Sequence, residues 1–334
     1  MHYFYLITLL LVNHFAWASN NDDHCGTMTY LEQQLNKNPE LINVQRDIEN
    51  HTQLYVQNNN NQRQLEVITI PVVVHVLYSN TVSNISDEQV FSQIEALNAD
   101  YRKTNNDIGL LINDFTDIAA DTEVEFCLAA RTPDNLPTNG INRVATTISN
   151  ANLSSDNVKF TSMGGVDAWP TNQYLNIWVC NNIEGGGVLG YAQFPGMGSN
   201  APDGVVIDHD YFGTMGTVDF PYNLGRTATH EIGHWLNLRH IWGDGGCNVD
   251  DFVEDTPRAN NPHYGCASLS VPPNSCTDSP IDYPDMFQNY MDYSDDDCLV
   301  AFTEGQKVRV RSVLASGGFR EALTSSPACL PLIN

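Results

Sequence analysis

The sequence predicts an α/β (α+β) fold: a twisted five-stranded mixed sheet with helices, then one histidine-bearing helix, then an irregular C-terminal subdomain tied by cysteines. Three observations predict it. Between Val67 and Asp210, β-branched runs alternate with an amphipathic one, as in layered strands and helices. The stretch "HEIGHWLNLRH", His230 to His240, closes a run with apolar residues at helical spacing. From His240 to about Ala301 the composition turns to Asp, Gly, Pro, Asn and Cys, which favours loops over regular elements.

In chain order, "MHYFYLITLLLVNHFAWASN" opens with an apolar run from Tyr3 to Val12 and a small-x-small site at Ala16-Trp17-Ala18. It reads as a secretory signal peptide (1–18), because a membrane span needs roughly 20 apolar residues and Asn13 and His14 break this one. Residues 19–62 are polar and run into "NNNNQRQ", residues 58–64. With one short helix possible at "MTYLEQQLNKNPEL" and too few apolar residues for a core, they read as a removable propeptide with a flexible end.

"VITIPVVVHVLY" is a strand buried on both faces. Ser86 and Gln89 form a capping box for a helix whose Val90, Ile94, Leu97 and Tyr101 share a face. "TEVEFCLAA", "QYLNIWVC" and "DGVVIDHD" are further strands, and "GGGVLGYAQFP" a short edge strand between loops. The helix "NLGRTATHEIGHWLNL" turns Leu224, Ala228, Ile232, Trp235 and Leu236 inward, and Thr303 caps a last helix. Residues 63–334 thus form one domain, divided at about residue 240 into an upper part (63–240) and a lower part (241–334).

The chain has 334 residues and a formal net charge of -25. That excess of carboxylates excludes nucleic acid and acidic lipid as partners and favours metal ions or basic substrates. Eight cysteines in an exported chain suit disulfides, and four lie between Cys247 and Cys298. Cys127 and Cys180 fall within strand candidates and read as buried thiols.

His230 and His234 are four residues apart, about 40° around a helix, so both imidazoles can reach one ion while Glu231 projects beside it. On a continued helix His240 would lie roughly 240° beyond His234. It becomes a third ligand only if the helix ends between them, and Asn237 stands where the break must come. Asparagine tolerates the left-handed conformation best after glycine. Three histidines leave zinc a fourth position for water, the mark of a catalytic site, with Glu231 placed to take a proton.

With "HEIGHWLNLRHIW", the four clustered cysteines and "NYMDYSDDDC", the sequence resembles the pappalysin family of metzincin zinc endopeptidases. The resemblance spans about Val67 to Leu314. It implies a zincin fold and a secreted enzyme that cuts protein or peptide substrates and is made as a latent zymogen. Met291 would form the methionine turn beneath the metal, or simply fill core. Tyr293 would help stabilise the oxyanion, and bridges would join Cys247 to Cys276 and Cys266 to Cys298. Asp297 matches a pocket position that selects Arg or Lys after the cut bond, which would permit self-cleavage at Gln62-Arg63. Asp251, Asp255 and Thr256 match a calcium loop, although a merely solvated acidic loop would look the same. "HCGT" resembles a cysteine switch in which the Cys25 thiolate takes the water position on zinc; the competing reading is a disulfide with Cys329. The alternative to an enzyme is a binding or adhesion protein of the cell envelope that keeps a weakly active zincin fold. Oligomeric state leaves no trace in the sequence.

Overall fold

The computed structural model describes residues 24–59, 66–199 and 201–332. The signal segment 1–18 and the Gln62-Arg63 bond lie outside the described residues. β1 (Ile68–Tyr78) organises the sheet. One of its edges pairs with β2 (Val124–Leu128) over Ile68–Val72 and then with β3 (Ile141–Ala145) over Val74–Tyr78. The other edge pairs with β4 (Leu175–Cys180), followed by β6 (Val205–Asp208), all parallel; β5 (Gly190–Ala192) closes the sheet antiparallel to β6.

The sheet therefore has six strands where five were expected, because two short strands share one edge of β1. The strand missed from sequence is β3, whose five residues are all partly or fully exposed and give no apolar pattern. β1 is buried on both faces as expected. Ile70, Val72, Val74 and Val76 meet the face carrying Leu97, Tyr101, Ala228 and Ile232, whereas Leu77 packs with Trp178 and Val206 behind the sheet.

α3 (Asp87–Tyr101) begins where Ser86 Oγ accepts the Gln89 N–H at 3.1 Å. α4 (Arg226–Trp235) lies on the same face of the sheet, and α5 (Glu304–Leu314) starts with a full capping box on Thr303 and Gln306. The segment before β1 departs from expectation. The expected short helix is α1 (Thr27–Lys37), but a second helix that the sequence did not announce, α2 (Leu41–Asn59), follows it, and residues 60–65 with most of the "NNNNQRQ" run lie outside the described residues. Their few apolar residues suffice because they borrow a core: Leu31 and Leu41 pack with Phe194 and Met197. Glu49 pairs with Arg309 of α5, and His51 Nε2 donates to the Ser312 carbonyl at 2.9 Å.

Cys247–Cys276 and Cys266–Cys298 are bridged. Cys127 is not a free thiol but is bridged to Cys329, since β2 ends beside the C-terminal segment; this also removes Cys329 as a partner for Cys25. Cys25 and Cys180 are buried thiols. Among the described residues, no helix is long and apolar enough to cross a membrane.

Candidate metal centre and active site

α4 is anchored at its start by Arg226, whose guanidinium pairs with Asp100 and, at 2.7 Å, with Asp107. Thr229 Oγ1 donates to Asp100 Oδ2 at 2.6 Å, fixing α4 to α3. At the far end, Asn237 takes φ +76°. Its N–H donates to the His234 carbonyl at 2.9 Å, and the Leu238 N–H reaches back to the Gly233 carbonyl at 2.9 Å. That pair of bonds is a Schellman motif with asparagine in the left-handed place. The helix thus stops one residue past Trp235, and the chain turns His240 back toward His230 and His234.

The three imidazoles converge. His234 Nε2 lies 3.1 Å from the Nε2 of His230 and 3.1 Å from that of His240. Each Nδ1 is already spent: His230 donates to the Tyr290 carbonyl at 2.8 Å, His234 to the Leu238 carbonyl at 2.8 Å, and His240 faces the Asp244 carboxylate. Those acceptors fix the tautomer, so the Nε2 atoms present lone pairs to one another. Burial, reinforced by His240, lowers the His230 pKa to about 3 and that of His234 well below its ordinary value, keeping both neutral. Imidazole nitrogens whose lone pairs face one another repel unless a cation sits between them. The donor set fits zinc, which binds imidazole nitrogen at ~2.0–2.1 Å in a tetrahedral arrangement.

The Trp242 ring stacks on His240 with centroids 4.3 Å apart, and the Tyr293 ring stands 5.0 Å from the same imidazole. Met291 lies beneath α4, and a Cβ on Gly233 would come within 2.4 Å of its Sδ; glycine is required there by the closeness of the methionine.

Cys25 joins the histidines: its Sγ and the three ring nitrogens lie within 4.8 Å of one another. Burial, with the charge of Glu231 next, pushes its thiol pKa well up in the absence of a metal. The segment that carries it runs parallel to β5, with the Leu189 N–H donating to the His24 carbonyl and the Gly26 N–H to the Gly190 carbonyl, each at 2.8 Å. A cavity beside the cluster is lined by Glu231, Tyr293, Tyr222, Arg226 and Asp296, with His24 and Cys25 on its wall.

The remaining expected residues are more scattered. Asp297 is exposed beside the Cys266–Cys298 bridge and does not line that cavity; its neighbour Asp296 does, fully buried and accepting the Leu224 N–H at 2.7 Å. Asp251 accepts from Thr256 Oγ1 at 2.8 Å and from the Val253 N–H at 3.0 Å. Asp255 instead binds the start of α5, accepting from Thr303 Oγ1 at 2.6 Å and the Gly305 N–H at 2.8 Å. Sequence reasoning missed Asp244, Trp242 and Thr27. Only Asp244 carried a signal, as a carboxylate four residues past a ligand candidate.

The sequence model of peptidase family M43, described as pregnancy-associated plasma protein-A, matches residues 161–315. An extracellular metalloprotease of Pyricularia oryzae is 32% identical over 257 residues, covering 74% of this chain and 75% of that one. The chain belongs to the pappalysin family. Mature mirolysin of Tannerella forsythia, solved in complex with a cleaved peptide, is 45% identical with a TM-score of 0.74, covering 78% of this chain and 97% of that one. A promirolysin mutant from the same organism is 42% identical with a TM-score of 0.80, covering 90% and 96%. This pappalysin is accordingly a zinc metalloendopeptidase with the metzincin fold.

Proposed function

We propose that this pappalysin is exported as a latent precursor and, once its first 62 residues are removed, cuts proteins before Arg or Lys. The convergence of three imidazoles beside a buried glutamate supports this reading most directly. His230, His234 and His240 would hold zinc, which when bound acidifies water and polarises a carbonyl. Glu231 takes the proton of the attacking water and delivers it to the leaving amine. Tyr293 donates its hydroxyl to the oxygen that gains charge, while Met291 supports the site from below.

Substrate pairs with the edge of β5, where the His24–Gly26 main chain now lies. The cysteine-switch reading draws on the position of Cys25 among the histidines and on the likeness to a promirolysin. The basic preference draws on the carboxylates of Asp292 and Asp296, which line the cavity together with His24, itself between Tyr222 and Tyr264 at ring distances of 5.0 and 5.3 Å. Asp297 follows Asp296 in the run of three consecutive aspartates. Export agrees with relatives named extracellular metalloproteases, and peptide substrates with the cleaved peptide held by mirolysin. A structural calcium ion at Asp251, Asp255 and Thr256 belongs to the same reading, supported by their oxygen donors.

A mixed peptide library incubated with the purified, matured protein tests the whole. Cleavage should fall before Arg or Lys, cease with a zinc chelator, and weaken with a calcium-specific chelator until calcium is restored. Glu231→Ala should keep its zinc and lose at least ~10²–10⁴-fold in turnover. Retained turnover in that variant would remove Glu231 from the mechanism.

A further inference from the structure

Thr27, two residues past Cys25, is fully buried and touches the machinery directly. Its Oγ1 lies 2.7 Å from Glu231 Oε2 and accepts the Ala192 N–H at 2.8 Å. A threonine hydroxyl has one proton. One of its two lone pairs accepts from Ala192, and its proton is donated to the Glu231 carboxylate, the group a water must reach to be deprotonated. The same oxygen also covers the main-chain N–H of Ala192 on β5, a donor that an extended peptide would use. Gly26 makes the spacing possible, because a Cβ there would come within 2.7 Å of Leu153 and 3.1 Å of Val188. Cys25 sits against the histidines and also touches Glu231, with the Thr27 N–H donating to its Sγ at 3.4 Å, while the Thr27 hydroxyl makes its own bond to the glutamate.

We propose that Thr27 is a second latch of the precursor: its hydroxyl holds Glu231 by a charge-assisted hydrogen bond and blocks the Ala192 N–H, in addition to what the Cys25 thiol does at the histidines. The proposal rests on the reading of Glu231 as the proton-transfer residue and of residues 19–62 as removable. Because Thr27 leaves with the propeptide, every variant at this position yields the same mature enzyme.

The test compares intact precursors, verified by mass, in hydrolysis of a short peptide: parent, Cys25→Ala, Thr27→Val, Thr27→Ser, and Cys25→Ala with Thr27→Val. A hydrogen bond to a charged group is worth enough that Thr27→Val should raise precursor activity ~10-fold or more, in both the parent and the Cys25→Ala background. Thr27→Ser keeps the hydroxyl and should stay latent. Tyr30→Phe, which removes a different propeptide hydroxyl bonded at 2.7 Å to Asp156, should also stay latent. Thr27→Val precursors as silent as their parents would overturn the latch, as would equal activation by Tyr30→Phe, which would mean that any loosening of the propeptide suffices. If the mature parent itself fails to cleave peptide, the catalytic reading fails instead, and the two failures are told apart by that control.

Discussion

Asn237 carries a conformational cost that its neighbours repay. Its φ of +76° is disfavoured for a residue with a Cβ, and its side-chain Nδ2 is buried without a hydrogen-bond partner among the described residues. Its carbonyl, by contrast, accepts from Arg309 Nε at 2.6 Å, and that arginine also pairs with Glu49 of α2. Glycine would keep both backbone roles and shed the strain, whereas alanine would keep the strain without asparagine's tolerance of it. Urea unfolding should therefore rank Asn237→Gly at least equal to the parent and Asn237→Ala ~1–2 kcal/mol below the glycine variant. Zinc affinity should follow the same order, because the turn at 237 aims His240. Equal stability of the alanine and glycine variants would mean that the left-handed turn has relaxed.

For α4, packing overrides helix propensity. Gly233 in the helix interior should cost ~1 kcal/mol relative to alanine, yet Met291 Sδ occupies the space an alanine methyl needs. Gly233→Ala should accordingly destabilise by ~1–3 kcal/mol, the range for overpacking. Shortening the methionine should recover part of this, so a double-mutant cycle with Met291→Ala should give a favourable coupling in thermal unfolding. Additive effects would show that helix and methionine do not press on each other. The same logic explains α1 and α2. Judged alone they are too polar to fold, but against Phe194, Met197 and α5 they have a surface to bury. Propensity and pattern describe an element by itself, and these helices exist through their neighbours.

Across the whole molecule, the lower part depends on links between distant segments. Cys127–Cys329 spans 202 positions, and the other two bridges tie the loops around His263. His263 donates to Asp292 at 2.6 Å and to Asp285 at 3.1 Å, bracing the turn that carries Met291 and Tyr293. Burial opposes its charge, but hydrogen bonds to the two carboxylates outweigh it and raise the pKa to about 9. The unfolded value is ~6.5, so the imidazolium's contribution is complete below that pH and is lost as pH rises through about 9. Asp296, pushed up to about 7 by burial, acts in the same direction, because its ionisation between ~4 and about 7 costs the folded state. The melting temperature should thus fall from neutral to alkaline pH, and His263→Gln should flatten the part of that slope between ~6.5 and 9. An unchanged slope would show that His263 is not the titrating brace.

The sequence alone determined the zinc pattern, the need for a helix break at Asn237, the layered fold and the cysteine-rich lower part. These rest on local rules: 3.6 residues per turn, the conformational limits of a residue type, and composition over short windows. Tertiary structure alone decided the split edge strand β3, the Cys127–Cys329 pairing, the docking of α1 and α2, the backing of His240 by Asp244 and Trp242, and the contact of Thr27 with Glu231. Each of these depends on groups brought together from distant positions or on a side-chain direction that spacing leaves open. Thr27 and Glu231 are 204 residues apart, and only the folded chain makes them hydrogen-bond partners.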